Sequence, residues 1–461
     1  MMDHGLRVRR ADAYERAIAR SWHDNECLPD DAMRALQESR LMAQLAWLHD
    51  RSPFYQRKYA AAGVRFDAIR TLDDLQILPF TVKAEIRESL VDQPPFGLHL
   101  AADLADIVQM QASSGTTGSP SYVALTEGDL ESWSEMTARC LFACGIRPGD
   151  RVLHGFSMAK GFVGGVPMMQ AIQYMGAIDV PVGADGGVDR LLRATADLRP
   201  QAIVGAPNFL LHLAEKAPEV LGFPAHALGV KHLVVGGEPG GGIPAIRAQL
   251  EAAWGAKCLE MLGGTDLGVA YWAECDAQAG MHMVSRDHII TELLDAESET
   301  IIPFETGGRG ELIYTALGRQ ASPLVRFRSG DHVEVLGMDC PCGRTGPRIR
   351  CVGRTDDMLI VRGVNVFPSA IQSIVAEMVP KTNAVMRVLR DFDGHSTQAN
   401  LQVIVERGID QPTAADDALK LRIEQRLRDA LVFKADVRIV DADTFDKPGV
   451  AKVALTIRKF P

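Results

Sequence analysis

Long apolar runs are missing from this chain. No stretch approaches the roughly 18 consecutive apolar residues of a membrane-spanning helix, and no apolar segment of the secretory type follows the charged start, Met1 to Arg10. Cysteine is sparse and scattered, 8 in 461 residues, which excludes a secreted disulfide framework and predicts thiols or metal ligands in a reducing compartment. A cytoplasmic protein with no membrane partner is expected. Positive charge is also in deficit: 49 Lys and Arg stand against 59 Asp and Glu, for a net charge of −10. No basic run is dense enough for a nucleic-acid footprint, so nucleic acid is excluded as a partner. The G-x-x-x-x-G-K-[ST] spacing of a Walker loop is absent, and so is any convincing Ser-His-Asp or Cys-His arrangement.

What the chain does contain starts with its length, beyond the size at which one core keeps growing, so at least two domains are expected. Ser113, Ser114, Gly115, Thr116, Thr117 and Gly118, followed by Ser119 and Pro120, pack hydroxyls and glycines into one short loop. It follows the alternating run Ile107 to Ala112, which reads as a strand, and leads toward a helical pattern from Glu127 to Cys144. Glycines let several N–H groups point at one spot and the hydroxyls add donors, so the loop is a phosphate cradle in outline. The alternative is a flexible Ser/Gly linker.

Upstream, Ala32 to His49 has helical apolar spacing, and Thr81 is placed to cap a helix from Lys83 to Leu90. Downstream, β-rich runs at 150–156, 177–182, 201–205 and 232–236 alternate with helical patterns at 166–175, 189–198 and 209–217. That alternation predicts parallel βαβ units with ligands at the strand carboxyl ends. The loops there carry Phe156 to Gly165, Gly205 to Asn208, and Gly236 to Gly242. Lys257 to Leu262 is a further strand, and it runs into Gly263, Gly264, Thr265 and Asp266. Cys275, His282, Cys340 and Cys342 offer the Cys₃His donor set of a closed tetrahedral zinc site, against the reading of small buried hydrophobes. Residues from Ser369 on read as a compact α+β unit ending near Lys447 and Lys452.

These motifs resemble the adenylate-forming enzymes, and within them the phenylacetate-CoA ligase family. The resemblance runs from about Tyr55 to the end. Its most specific segment is Gly353-Arg354-Thr355-Asp356-Asp357-Met358-Leu359-Ile360-Val361-Arg362-Gly363-Val364-Asn365-Val366-Phe367-Pro368. The resemblance implies an α/β fold in which a large N-terminal adenylate-forming domain, 1–354, with βαβ subdomains precedes a small mobile α+β domain, 355–461. It implies an ATP-dependent ligase that forms an acyl-adenylate and then a CoA thioester, with ATP, Mg²⁺ and CoA, and a homodimer.

Residue by residue, the resemblance implies that the 113–118 loop holds phosphate and that Gly237, Glu238 and Pro239 lie against adenine and acyl group. Thr265 would bond the α-phosphate or acyl oxyanion, Asp266 would hold Mg²⁺, Asp331 the ribose hydroxyls, and Arg354 phosphate or ribose. Asp356 would be the hinge, Arg362 and Gly363 would border the thiol tunnel, and Lys452 would be the mobile catalytic lysine, with Lys447 as competitor. Phe156, Phe162, Val163, Ala206 and Pro207 would form an apolar slot for a small aromatic carboxylic acid. Lys160 and Asn208 are either ring-substituent contacts or surface and turn residues. The sequence departs from the family pattern at Ser119 (usually Lys), Leu262 (usually Tyr) and Asp266 (usually Glu). Asp266 as a plain loop carboxylate, a carrier-protein thiol in place of CoA, and a non-catalytic nucleotide-binding relative stay open at this stage.

Overall fold

The computed structural model describes residues 21–112, 122–159, 161–295, 298–445 and 454–459. The phosphate-loop residues 113–118, together with Ser119, Lys160, Lys447 and Lys452, lie outside them.

The βαβ alternation is realised as parallel strands in the spatial order Lys257–Gly264, His232–Val235, Ala202–Gly205, Arg151–His154, Ile178–Val180. The inner strands are covered on both faces, which is why Ala202 to Gly205 is a continuous apolar run, buried at every position. Helices Val166–Tyr174, Val188–Leu198, Pro207–Leu221 and Pro244–Trp254 provide the connections. The helix Pro207–Leu221 starts with proline in its first turn and stops at Gly222 in the left-handed conformation, φ 81°. Beyond Lys257–Gly264 the sheet becomes antiparallel through Gly268–Glu274, Met281–Met283, Arg348–Arg354, Phe327–Gly337, Arg309–Ala316, Ile289–Leu294 and Ile301–Ile302. Among the described residues it has 12 strands.

Two large apolar clusters lie against this sheet, one built around Trp133, Phe142, Trp272 and Tyr314, the other around Leu191, Leu210 and Trp254. A smaller cluster of Leu41, Leu45, Tyr55 and Tyr59 holds the N-terminal helices Asp30–Arg51 and Pro53–Ala61. A separate core, from Leu359 to Val437, belongs entirely to the C-terminal part. It covers a sheet ordered Ala435–Val440, Leu401–Arg407, Thr382–Leu389, Thr456–Ile457 with helices Pro368–Ala376 and Asp416–Leu431. This α+β unit docks on the larger body through Ala376 and Ala384, which join the Leu250 and Trp254 cluster.

Two local expectations are corrected. A strand, not a direct lead, precedes the helix: Tyr122–Thr126 pairs antiparallel with Ile107–Ala112 and stands between residue 121 and the helix. The helix Glu127–Ala143 then begins behind Thr126, whose Oγ accepts from Asp129 N–H while the Asp129 carboxylate accepts from Thr126 N–H, both at 3.1 Å. Thr81 does not cap the helix Lys83–Asp92. Its hydroxyl donates to Val325 O at 2.8 Å, and the Glu85 carboxylate takes the Val82 N–H instead, at 2.9 Å.

Candidate active site

The carboxyl ends of the parallel strands bring the predicted loops together. Gly155 N–H donates to Val204 O at 2.7 Å and Gly236 N–H to Gly205 O at 3.3 Å, so three successive loops share one rim. A side chain at Gly236 would put its Cβ 2.7 Å from Met261 O, so only glycine lets this backbone pass so close to the neighbouring strand. Gly237, at φ 82°, turns the chain with Phe156 as its nearest neighbour. Glu238 is tied back, its carboxylate accepting from Asn208 N–H at 3.2 Å and from the Asn208 amide at 3.0 Å, in the first turn of the helix Pro207–Leu221. Asn208 therefore orients Glu238. Pro239 follows in the same turn.

Phe156 and Phe162 meet edge to face with centroids 6.1 Å apart, and Phe156 and Val163 are buried in the same cluster, with Ala206 packed against it. Pro207 abuts Gly240, where an added Cβ would lie 2.6 Å from its ring. The loop carrying the phenylalanines is anchored by a buried histidine: His154 Nε2 bonds Gly164 O at 2.8 Å, and its Nδ1 lies 3.2 Å from Asp179.

Gly263 and Gly264 end the strand Lys257–Gly264, and Thr265 and Asp266 stand partly exposed in the turn that follows. Asp266 Oδ2 is 3.2 Å from the Lys83 ammonium. Across the rim, Asp331 and Arg354 are directly opposed on neighbouring antiparallel strands and form an ion pair. Arg354 also donates to Ser329 O at 3.2 Å and reaches Asp356 at 3.4 Å, so one guanidinium spans the ribose candidate and the hinge candidate. The Asp331 carboxylate, opposed by burial, holds the Arg354 proton more tightly than usual. Asp356 lies in a one-turn 3₁₀ helix, Thr355–Asp357, closed by Met358 N–H to Thr355 O.

Arg362 and Gly363, at φ 51° and 85°, make the tight turn between Leu359–Val361 and Val364–Val366. The Arg362 side chain is held within the small unit by Gln398 O and Asn400, each at 3.0 Å.

Sequence reasoning passed over several groups here. Glu260 lies under Gly242, with Glu274 and Arg247 beside it. Burial first, then the Glu274 carboxylate, push its carboxyl up to about 7. Tyr271 is fully buried, near Gly264, Asp331 and Asp266. Lys83 and Arg319, which feels Asp266, come from segments read as structural or not singled out. Each is a charged or hydroxylated residue whose neighbours come from distant segments, so its setting is visible only once the fold is known.

Away from this rim, Cys275, His282, Cys340 and Cys342 converge, with all four donor atoms within 4.8 Å of one another. Cys275 Sγ and Cys340 Sγ are 3.6 Å apart, and Cys342 Sγ is 3.5 Å from His282 Nε2. Zinc–sulfur bonds of about 2.3 Å at tetrahedral angles put ligands roughly 3.8 Å apart, so the cluster fits the ion. The hydrogen bond between Cys275 and Cys342 lowers the Cys342 thiol and raises that of Cys275, and the nearby His282 adds to the lowering of Cys342.

Residues 363–453 match the family of AMP-binding enzyme C-terminal domains. The chain is 35% identical to the phenylacetate-coenzyme A ligase of Thermus thermophilus over 423 residues, 88% of this chain and 91% of the relative. The chain belongs to the phenylacetate-CoA ligase family. The Escherichia coli member of that family is 33% identical over 350 residues, 75% of this chain and 77% of the relative. Among solved structures, 2-hydroxyisobutyryl-CoA ligase bound to an acyl-adenylate in the postadenylation state superposes with a TM-score of 0.87 at 27% identity, covering 96% of this chain and 93% of that one. The same enzyme in the thioesterification state gives 0.70 at 28% identity, with 95% and 92% covered. Like its phenylacetate-CoA ligase relatives, the chain is an AMP-forming acid–thiol ligase by descent, with a large α/β body and a smaller α+β unit. No described helix is long and apolar enough to cross a membrane.

Proposed function

We propose that this enzyme joins a small aromatic carboxylic acid to CoA at the expense of ATP, through an acyl-adenylate. The carboxylate attacks the α-phosphate and pyrophosphate leaves; the CoA thiol then attacks the activated carbonyl and AMP leaves. The observation that carries the reading is the overall conformation of the chain. It matches a relative holding an acyl-adenylate in its postadenylation state better, at 0.87, than the same relative in its thioesterification state, at 0.70.

In this reading the large domain ends at 354 and the small one rotates about Asp356, so that one carbonyl meets two sets of groups in turn. Asp331 accepts the ribose hydroxyls, Arg354 and Thr265 face the phosphates, and the 113–118 loop and Lys452 complete the phosphate side. Asp266 is the carboxylate for Mg²⁺, whose charge, when bound, draws electron density from the phosphate oxygens. Gly237 to Pro239 line the adenine side, and Arg362 and Gly363 border the thiol path. The apolar slot of Phe156, Phe162, Val163, Ala206 and Pro207 favours a flat ring, since a charged head there would lose its hydration without a partner. Zinc held by Cys275, His282, Cys340 and Cys342 has every position filled by protein, so its role is to tie the antiparallel half together.

The test is pyrophosphate release over a panel of aryl, arylacetic and small hydroxy acids, with and without CoA. Acid-dependent release with an aromatic acid, followed by thioester formation on adding CoA, is the expected result. Release with aliphatic hydroxy acids alone would move the substrate class.

A further inference from the structure

Leu78 to Lys83 is a segment that the functional reading leaves unused. Thr81 N–H donates to Arg326 O, and Thr81 O accepts from Arg328 N–H, both at 2.9 Å. With the Thr81 hydroxyl on Val325 O, these bonds fasten the segment beside Phe327, at the start of the strand that carries Asp331. Lys83 opens the next helix and sets its ammonium 3.2 Å from Asp266 Oδ2. The nearby Lys58 is paired with Glu85, so Lys83 is the cation that this segment delivers to the rim.

The pair is semi-exposed, its side chains 32% and 20% accessible, and such pairs contribute little to stability. Its surroundings point to a ligand instead. Arg319 is only 6% exposed, and its Nη2 has no hydrogen-bond partner among the described residues. The charges it senses are Asp129 and Asp266. His99, also in the field of Asp266, is held neutral, its ring pushed down to about 4 by burial. Asp266 therefore has the Lys83 ammonium in contact and lies in the field of Arg319, whose guanidinium is shared with Asp129, 3.6 Å away. Two cations balance two carboxylates as they stand, so a divalent cation on Asp266 would displace the ammonium and leave it for a phosphate oxygen.

We propose that Lys83 is a substrate-binding residue for the β- and γ-phosphates of ATP. When ATP binds with a divalent cation on Asp266, the ammonium swings off that carboxylate onto the terminal phosphate oxygens; when pyrophosphate leaves, it returns to Asp266. Its four-carbon stem and three N–H donors suit such an exchange between two anions. The fastening of residues 81–83 to the Asp331 strand keeps its origin fixed relative to the ribose. This inference rests on the ATP-ligase reading.

The experiment measures binding of ATP, pyrophosphate and AMP by calorimetry to the full chain and to Lys83→Gln and Lys83→Arg. Thioester formation from supplied acyl-adenylate and CoA is assayed alongside, and melting temperatures serve as a folding control. Loss of one charged contact predicts about ten- to hundred-fold weaker ATP and pyrophosphate binding in Lys83→Gln, with most of it restored in Lys83→Arg. AMP affinity and the thioester step should stay within about threefold, because neither involves the terminal phosphates. Equal weakening of AMP and ATP, or unchanged ATP binding with a lowered melting temperature, would reduce Lys83 to a structural partner of Asp266. A wild-type chain that binds no ATP would remove the ligase reading as well, whereas an active wild type with an unaffected Lys83→Gln would remove this inference alone.

Discussion

Replacing Asp331 by asparagine keeps the shape of the side chain and removes its charge. In the fold, Asp331 is buried and directly opposes Arg354, which takes one side of the carboxylate. An ionised carboxylate has about four acceptor positions, more than a ribose diol needs. Hydrogen bonds to a charged acceptor contribute roughly 1.5–3 kcal/mol each, against about 1 kcal/mol for neutral ones. Two such bonds weakened by the change amount to about 1–4 kcal/mol, or roughly five-fold to nearly a thousand-fold in kcat/KM for ATP. The variant also leaves Arg354 with Ser329 O and Asp356 as its partners, so a stability loss of about 1–3 kcal/mol should accompany it. The assay that separates the two effects compares ATP with 2′-deoxy-ATP in acid-dependent pyrophosphate release. Wild-type enzyme should discriminate strongly against the deoxy nucleotide, and Asp331→Asn much less. If both proteins discriminate equally, Asp331 does not hold the ribose and its role is confined to Arg354.

Four shorter predictions accompany this one. Purified protein should contain about one zinc per chain, and Cys340→Ser should lower the melting temperature while the folded fraction keeps its chemistry; full stability after metal removal would refute the site. Lys452→Ala should slow adenylate formation by about two orders of magnitude and spare thioester formation from supplied acyl-adenylate, whereas an equal fall in both steps would reassign the residue. Asp356→Pro should keep pyrophosphate exchange and lose most CoA-dependent product, because proline is accommodated in the turn closed by Met358 N–H but restricts the torsions needed for re-docking; unchanged product formation would remove the rotation. Glu260, with a folded value of about 7 above the ordinary 4.5, contributes stability that is complete below about pH 4.5 and lost as pH rises through 7. Glu260→Gln should therefore gain on wild type by at most about 3 kcal/mol across that interval, and parallel stability–pH curves would contradict the assignment.

The central body was legible because its physical causes are local. Inner strands such as Ala202–Gly205 are apolar at every position because a parallel sheet is covered on both faces, and helices such as Pro207–Leu221 carry their own start and stop residues. The 3.6-residue period marked the helix that runs Asp30–Arg51, and donor chemistry alone singled out Cys275, His282, Cys340 and Cys342. The hairpin at Tyr122–Thr126 was missed because a five-residue strand is too short to separate from a helix start by periodicity.

What the sequence by itself determined is the family, the alternation of strands and helices, the cysteine–histidine set and the glycine loops, since each depends on residue types at short spacing. What only the tertiary structure decided is who meets whom across long stretches of chain. Lys83 on Asp266, Asp331 on Arg354, Asn208 on Glu238 and Glu260 under Gly242 are pairings between segments 23 to 183 residues apart or between loop and strand. Their energies depend on burial and on ångström distances between charges, quantities that no local pattern encodes.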